Sequence, residues 1–241
     1  MTDRAGWGRR RREVLRTSLS LGVPVGAYGA SFGAVAAAAG LSVPQACALS
    51  VLAFTGGSQF AYVGVIGGGG APIAGMVSAL LLGTRNSFYA VRMASVLRVR
   101  GARRLVGAHL TIDESTAVAT GQPDEPGARL GFWATGLTIF AAWNTSTLVG
   151  ALAGARLGDP QTYGLDAIAP AAFLAFLWPR LTGRDGGRGR AVAALAAVIA
   201  IATSLFLPPG LPVLLAALPA VWAGVRATRD DMQKDEPGVP T

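Results

Sequence analysis

The chain has little of what metal, redox or nucleotide chemistry requires. Its 241 residues include one cysteine, Cys47, and one histidine, His109. One residue of each kind supplies neither a disulfide framework nor a zinc site of the Cys/His type. The sequence also contains no glycine-rich loop of the phosphate-binding kind. We therefore expect no metal, no cofactor and no enzyme that depends on them.

Charged residues are scarce as well. Only 14% of the residues are charged and 51% are hydrophobic, whereas about a quarter of an ordinary soluble domain is charged. Apolar stretches recur without a polar block long enough to fold alone. The sequence predicts an all-α integral membrane protein embedded in the lipid bilayer. We expect a basic cytoplasmic N-terminus at 1–17, one transmembrane domain at 18–227 and a polar, disordered cytoplasmic tail at 228–241.

About seven hydrophobic segments are long enough to cross a bilayer, and glycine, proline or charge bounds each of them. These segments are 18–40, 43–66, 71–95, 130–154, 162–180, 191–207 and 211–227.

The basic residues, twenty arginines and one lysine, occur in short clusters between the apolar stretches. The clusters are at 4–16, 98–104, 180–190 and 226–234. This distribution is typical of the cytoplasmic loops of membrane proteins and not of a nucleic-acid interface. The paired arginines near the start resemble an export signal, but membrane sequence continues beyond any cleavage position, so we favour a retained N-terminus. We expect all four clusters in the cytoplasm and no nucleic acid as a partner.

Three full crossings between the first two arginine clusters would place those clusters on opposite sides. We favour 43–66 as the segment that fails to cross, because it contains Gly56 and Gly57. Adjacent glycines weaken a helix by about 1 kcal/mol each relative to alanine. We predict a broken, re-entrant segment here, made of two half-helices that enter and leave on one side. The alternative is that 105–125 crosses and leaves the second cluster outside.

A broken segment predicts a binding site, since helix ends at membrane depth must be satisfied by protein or by a water-filled cavity. The polar residues and glycines at the break are Thr55, Gly56, Gly57, Ser58 and Gln59. Helix N-termini attract carboxylates, so this group is a candidate site for a small zwitterion. Close packing of small residues between helices is the alternative interpretation.

A second group of polar residues lies in "LLGTRNSFYAVRMAS". Arg85 and Asn86 follow an apolar run directly, and Arg92 lies seven residues after Arg85 on the same helical face. An arginine at the centre of a bilayer costs about 2.5 to 3.5 kcal/mol on insertion, so it should face an interior partner or cavity. We interpret Arg85 and Asn86 as candidate contacts for a substrate carboxylate, and Arg92 as a candidate for ion pairing. The alternative is that the span ends near residue 84 and both arginines reach the interface.

Three further polar residues complete the candidates. Asp113 and Glu114 are adjacent carboxylates in "HLTIDESTAVAT", where one of them carries a proton or pairs with Arg85. A solvated turn or helix cap is the alternative for this pair. Asn144 lies in the middle of the segment 130–154 and is a candidate for the substrate pathway. Hydrogen bonding within or between helices is the alternative for Asn144.

The glycines at positions 22, 26, 29 and 33 recur every three or four residues in the first segment. Such spacing is typical of a face on which another helix packs closely, and not of a phosphate-binding loop.

Several of these stretches resemble one family in their order and spacing. They are "PVGAYGASFG", "FTGGSQFAYVGVIGGGGAP", "SALLLGTRNSFYAVRMASVLR" and "LTIDES", followed by "AAWNTSTLVGALAG" and "YGLDAIAPAAFLAFLWPRL". Over roughly residues 18–181 the chain resembles the AzlC-type branched-chain amino acid permeases, the large subunit of a two-component amino acid exporter.

The resemblance implies a secondary exporter in the bacterial inner membrane. Its substrates would be branched-chain amino acids such as valine, leucine and isoleucine, and its partner a small AzlD-like membrane subunit. Because no phosphate-binding loop is present, the proton gradient or the membrane potential is the expected driving force. The alternative function is a passive channel or a structural membrane subunit for another small solute. An intramembrane enzyme is least favoured, because no nucleophile accompanies His109 in a recognisable arrangement.

Overall fold

The computed structural model describes residues 4–156, 186–207 and 211–224, together with positions 174, 177, 178, 181–183 and 226. Every regular element in these residues is helical, so the predicted all-α class is confirmed for the described part of the chain. Most of the predicted segment 162–180 and the predicted tail 228–241 lie outside the described residues.

In chain order the helices are α1 Arg4–Ala27, α2 Gly29–Ala38, α3 Val43–Leu52, α4 Gly56–Gly67, α5 Pro72–Gly83, α6 Arg85–Leu97, α7 Ala102–His109, α8 Asp113–Thr120, α9 Glu125–Arg156, α10 Gly186–Ser204 and α11 Leu211–Ala216. Within the described residues, two helical stretches are long and apolar enough to cross a membrane: Gly6–Ala38, which contains α2 and most of α1, and α9. The other described helices are shorter or interrupted, so seven separate spans are not confirmed.

The stretch formed by α1 and α2 lies alongside α9 and runs parallel to it. Near the start of both helices Arg10 forms an ion pair with Asp124, the residue that precedes α9. Farther along, the Thr135 hydroxyl donates to Ser18 Oγ over 2.9 Å. We therefore describe depth in the molecule by the N-terminal end of α9, its middle and its C-terminal end.

The predicted glycine face lies at this contact. A Cβ atom at Gly29 would come within 2.5 Å of the carbonyl oxygen of Trp143, and one at Gly22 within 2.8 Å of the Thr138 side chain. A Cβ atom at Gly150 of α9 would overlap the backbone of α2. Backbones approach this closely only where side chains are absent. The interpretation of the glycines as a packing face is therefore confirmed.

Helices α3 and α4 form a hairpin, here called the first hairpin, that starts and finishes at the C-terminal end of α9. On the way in, Ser50 Oγ donates to Thr147 Oγ1 over 3.3 Å. At the tip the Phe54 ring lies 5.0 Å from the ring of Phe140, near the middle of α9. Helix α4 then returns, and its last residue packs against Ala39 just beyond α2. The predicted break is present, and the chain leaves on the side from which it came.

Helices α5 and α6 run the opposite way to α9, from its C-terminal end to its N-terminal end. Near the start of α5, Gly75 packs against Tyr62 of α4. Near the end of α6, Arg129 Nε donates to the carbonyl oxygen of Val96 over 2.9 Å. Thr84 joins the two helices and keeps helical backbone angles, φ −57° and ψ −30°. The connection is therefore a kink, and the sequence, which predicts an uninterrupted segment here, does not reveal it.

Helices α7 and α8 form the second hairpin, which starts and finishes at the N-terminal end of α9. Leu110 at its tip packs against Gly136, and Val118 on the way back packs against Gly131. The chain between α7 and α8 is not helical, and the direction reverses there. The structure thus disagrees with the alternative in which 105–125 crosses.

The two hairpins explain why the first two arginine clusters share a side. Arg10 pairs with Asp124, and Arg98 Nη2 lies 2.7 Å from Glu125 Oε1. Both clusters therefore lie at the N-terminal end of α9. Two complete passages and two hairpins separate the clusters along the chain, which is the parity that the charge pattern demands.

Beyond the long helix α9, the described chain resumes with α10 and α11. These two helices pack against each other, and α11 also contacts α5. The apolar helical stretch that includes α11 continues to Gly224.

Candidate functional site

The tips of the two hairpins meet halfway along α9. Phe54 of the first hairpin lies 5.9 Å from His109 of the second, measured between ring centroids. The Phe140 ring lies 5.0 Å from Phe54 and 5.8 Å from His109. These three residues are here called the aromatic cluster; Phe54 is buried, and His109 and Phe140 are partly exposed.

An ion pair connects the second hairpin to the kink between α5 and α6. Arg85, the first residue of α6, places Nη1 3.0 Å from Oδ2 of Asp113, the first residue of α8. The side chains are 36% and 39% exposed, so a ligand can reach the pair. Arg85 Nε and Asp113 Oδ1 are buried and have no hydrogen-bond partner among the described residues. Each half of the ion pair thus keeps an unused polar atom.

The first turn of α4 lies beside this ion pair. A Cβ atom at Gly57 would lie 3.6 Å from Arg85 Nη2. Within the described chain no side chain caps this helix: Thr55 Oγ1 instead donates to Ser58 Oγ over 3.4 Å. The free amide groups of a helix N-terminus carry partial positive charge and bind anions. The start of α4, from Gly56 onward, and the guanidinium therefore form one positive region.

Gln59 holds the first hairpin together at its break. Its Nε2 atom donates to the carbonyl oxygens of Ser50, over 3.3 Å, and Ala53, over 2.8 Å, at the end of α3. Its Oε1 atom accepts a hydrogen bond from Trp143 Nε1 over 3.0 Å, and the residue is only 1% exposed. Both amide donors are used inside the protein. The geometry favours a bracing role for Gln59 over the predicted contact with a substrate.

The two candidate asparagines each present an unused acceptor. Asn86 lies in the first turn of α6, beside Arg85, and Asn144 lies one residue after Trp143 in the middle of α9. The Oδ1 atoms of both asparagines are buried without a partner among the described residues. Asn144 also donates from Nδ2 to the carbonyl oxygen of Phe140 over 2.8 Å. Both residues lie near the depth at which the hairpins meet.

Glu114 and Arg92 differ in how they relate to this centre. Glu114 follows Asp113 in the first turn of α8, is half-buried and forms no salt bridge with a described residue. Arg92 is exposed on α6 and has no ion pair in the described part of the chain. Seven residues of helix carry Arg92 about 10 Å from Arg85. The structure thus brings Glu114 to the centre and leaves Arg92 outside it.

The sequence matches the AzlC protein family over residues 20–157. This range is more than half of the chain and contains both hairpins, the kink and α9. The chain belongs to the AzlC family. AzlC proteins are associated with branched-chain amino acid transport, and the family is a transport-related one. No curated protein and no solved structure gives a significant match.

The sequence does not predict two kinds of residue in this AzlC site. Ser115 closes the break of the second hairpin: its Oγ donates to the carbonyl oxygen of Leu110 over 2.7 Å and accepts from the Ile112 amide over 3.1 Å. The only signal for it is its place in "LTIDES", beside the two acids. Phe54 and Phe140 have no distinguishing signal, because an aromatic residue in an apolar run is most often part of a core.

Proposed function

We propose that the chain is a secondary transporter that exports branched-chain amino acids, valine, leucine, isoleucine or analogues, across the bacterial inner membrane. It works with a small AzlD-like membrane subunit, and the proton gradient or the membrane potential drives it. The chain is multi-pass, with its N-terminus in the cytoplasm.

The arrangement of helices supports this membrane topology. Three passages, formed by α1 with α2, by α5 with α6, and by α9, run between the two ends of the molecule. With arginines at the cytoplasmic side, the first hairpin enters from outside and the second from the cytoplasm. Broken backbone is tolerated at membrane depth where protein groups satisfy it, and Gln59 and Ser115 do so at the two breaks.

The observation that carries the proposal is the meeting of two opposed hairpins at the Arg85–Asp113 ion pair. Secondary transporters place their substrate sites near the membrane midplane, where interrupted helices present their ends. The positive region formed by Arg85 and the start of α4 suits a carboxylate. The aromatic cluster suits a branched aliphatic side chain, which gains by leaving water.

A matched pair of arginine variants tests this assignment. We expect Arg85→Ala to abolish efflux of labelled leucine from loaded cells that also contain the small subunit, because the substrate carboxylate loses its charged partner. Arg92→Ala, the same change on the same helix, should leave efflux near the wild-type rate. Immunoblots of membrane fractions check that both variants are inserted. Equal efflux from the two variants would show that Arg85 is not part of the substrate site.

We assign proton coupling to Glu114, since it forms no salt bridge with a described residue and can take up a proton without breaking one of the ion pairs seen there. Glu114→Gln should abolish the response of leucine efflux to an imposed pH gradient and leave leucine–leucine exchange intact. Glu13→Gln, on the exposed start of α1, is the control. A Glu114→Gln protein that still responds to the pH gradient would place the coupling group elsewhere.

A further inference from the structure

The described chain contains two similar units of opposite direction. The first unit, α1 to α4, is a passage with a turn at Tyr28 followed by the first hairpin. The second unit, α5 to α8, is a passage in the opposite direction with a turn at Thr84 followed by the second hairpin. The sequences after the turns are "SFGAV" at 31–35 and "SFYAV" at 87–91, which lie 56 positions apart and differ at one residue.

The same spacing relates the residues that close the two breaks. Gln59 and Ser115 are also 56 positions apart. Each donates a side-chain hydrogen bond to a carbonyl oxygen just before its own break, Gln59 to that of Ala53 and Ser115 to that of Leu110. The repeated sequence, the turn and the bracing side chain therefore all recur at a spacing of 56 residues, and the two accepting carbonyl groups lie within one residue of it. Two units of inverted direction around a central site are typical of transporters that alternate between two open states.

The two units differ at the position of the ion pair. A shift of 56 positions carries Arg85 onto Gly29 and Asp113 onto Gly57. The second hairpin is therefore tied to its own passage by a salt bridge, whereas the first unit has glycine at both positions, Gly29 in its passage and Gly57 in its hairpin. Gly29 packs instead against the backbone of Trp143. The Arg85–Asp113 salt bridge is here called the latch, and of the two hairpins only the second has it.

The two charged groups of the latch are suited to bind a zwitterion. It offers a cation and an anion 3.0 Å apart, each with a polar atom that has no partner among the described residues, beside the positive end of α4. An amino acid carries its carboxylate and its ammonium group on one carbon atom, so it can satisfy both halves of the latch at once.

We propose that a bound amino acid zwitterion replaces the Arg85–Asp113 ion pair, its carboxylate on Arg85 and its ammonium group on Asp113, and thereby releases the second hairpin. The first hairpin moves without such a latch. This inference rests on the proposed function, because it takes the transported amino acid as the ligand. It adds that binding requires both the carboxylate and the ammonium group of the substrate. The bound substrate itself releases the second hairpin, which enters from the cytoplasmic side.

Disulfide trapping follows each hairpin separately. In the full chain carrying Cys47→Ser, the substitutions Leu110→Cys and Gly136→Cys report on the second hairpin, since a Cβ atom at Gly136 lies 3.2 Å from that of Leu110. Ala39→Cys and Gly67→Cys report on the first hairpin, with a corresponding distance of 3.3 Å. Both distances are close to the spacing across a disulfide.

We expect leucine to slow cross-linking in the second hairpin, because the zwitterion opens the latch. Asp113→Asn should slow it without leucine, and should leave cross-linking in the first hairpin unchanged. Equal rates in the second hairpin with and without Asp113→Asn would overturn the latch.

Ligand competition provides a second measurement that does not require the cysteine variants to fold. The full-length protein should bind leucine at least about tenfold more tightly than leucinamide, which lacks the carboxylate, or isocaproate, which lacks the ammonium group. Asp113→Asn should weaken leucine binding and strengthen isocaproate binding, because Arg85 is then free. A gain of this kind does not arise from misfolding.

The outcomes separate this inference from the proposed function. If the protein exports leucine but leucinamide or isocaproate competes as well as leucine, the exchange of the ion pair for a zwitterion is wrong and export stands. If the wild-type protein with its small subunit neither binds nor exports leucine, both are overturned.

Discussion

Gln59 stabilises a helix break by occupying the carbonyl groups that the break leaves open. The last carbonyl groups of α3 have no continuing helix to accept from, and an unsatisfied buried carbonyl is costly. Gln59 donates to two of these oxygens and is itself held by Trp143. The residue thus links the break to α9, the helix against which both hairpins lie.

A pair of glutamine variants tests this bracing role. We expect Gln59→Leu to destabilise the protein by about 1–3 kcal/mol, because the oxygens of Ser50 and Ala53 lose their donor. Gln45→Leu removes a capping hydrogen bond at the exposed start of α3, where water can replace it, and should cost about 1 kcal/mol or less. Thermal unfolding of the purified variants in detergent compares them. A larger loss for Gln45→Leu would contradict the bracing role.

At the residue scale the sequence predicts the charged and polar members of the site better than the apolar ones. Charges are rare in apolar segments, so the sequence predicts that Asp113 or Glu114 carries a proton or pairs with Arg85; the structure shows the pair with Asp113. Arg92 shares a helical face with Arg85, but periodicity gives only the side of the helix on which a residue lies. It does not give the distance along the helix axis, and this distance places Arg92 outside the centre. The bracing role of Gln59 depends on partners from α3 and α9, which no local pattern contains.

At the element scale the charge pattern reveals the first hairpin because the parity of crossings is a property of the whole N-terminal half. The second hairpin is harder to infer. Its sequence, residues 102–120, is moderately polar and is compatible both with a cytoplasmic loop and with a membrane-crossing segment of low hydropathy. Thr84 keeps helical backbone angles at the kink, and no proline lies there.

Cysteine labelling tests the direction of the two hairpins. In a protein carrying Cys47→Ser, Pro44→Cys and Ala71→Cys mark the start and the end of the first hairpin, and Ala102→Cys and Pro123→Cys those of the second; all four positions are exposed. We expect a membrane-impermeant maleimide to label the first two variants in intact cells and the last two only after lysis, because each hairpin returns to its own side.

Other labelling patterns would identify the error. Opposite accessibility of the two positions that mark the start and the end of one hairpin would show that the hairpin crosses the membrane. Labelling of the second pair and protection of the first pair in intact cells would invert the orientation inferred from the arginine clusters.

At the scale of the whole molecule, α9 is the axis around which the other parts are arranged. It packs on α1 and α2 through glycines, receives the tips of both hairpins at its middle and contributes Trp143 and Phe140 to that region. Composition predicts the membrane class, and the motifs predict the family. The number and length of the passages do not follow from hydropathy, because hairpins and full passages have similar apolar content.

A counterflow experiment measures directly whether the movement of substrate is coupled to a change in the side to which the site is open. Vesicles containing the purified protein and its small subunit are loaded with unlabelled leucine and diluted into labelled leucine. A transporter that exposes its site to one side at a time should accumulate label transiently above the external concentration before it equilibrates. A steady rise to equilibrium without this overshoot would contradict the account and identify a passive channel.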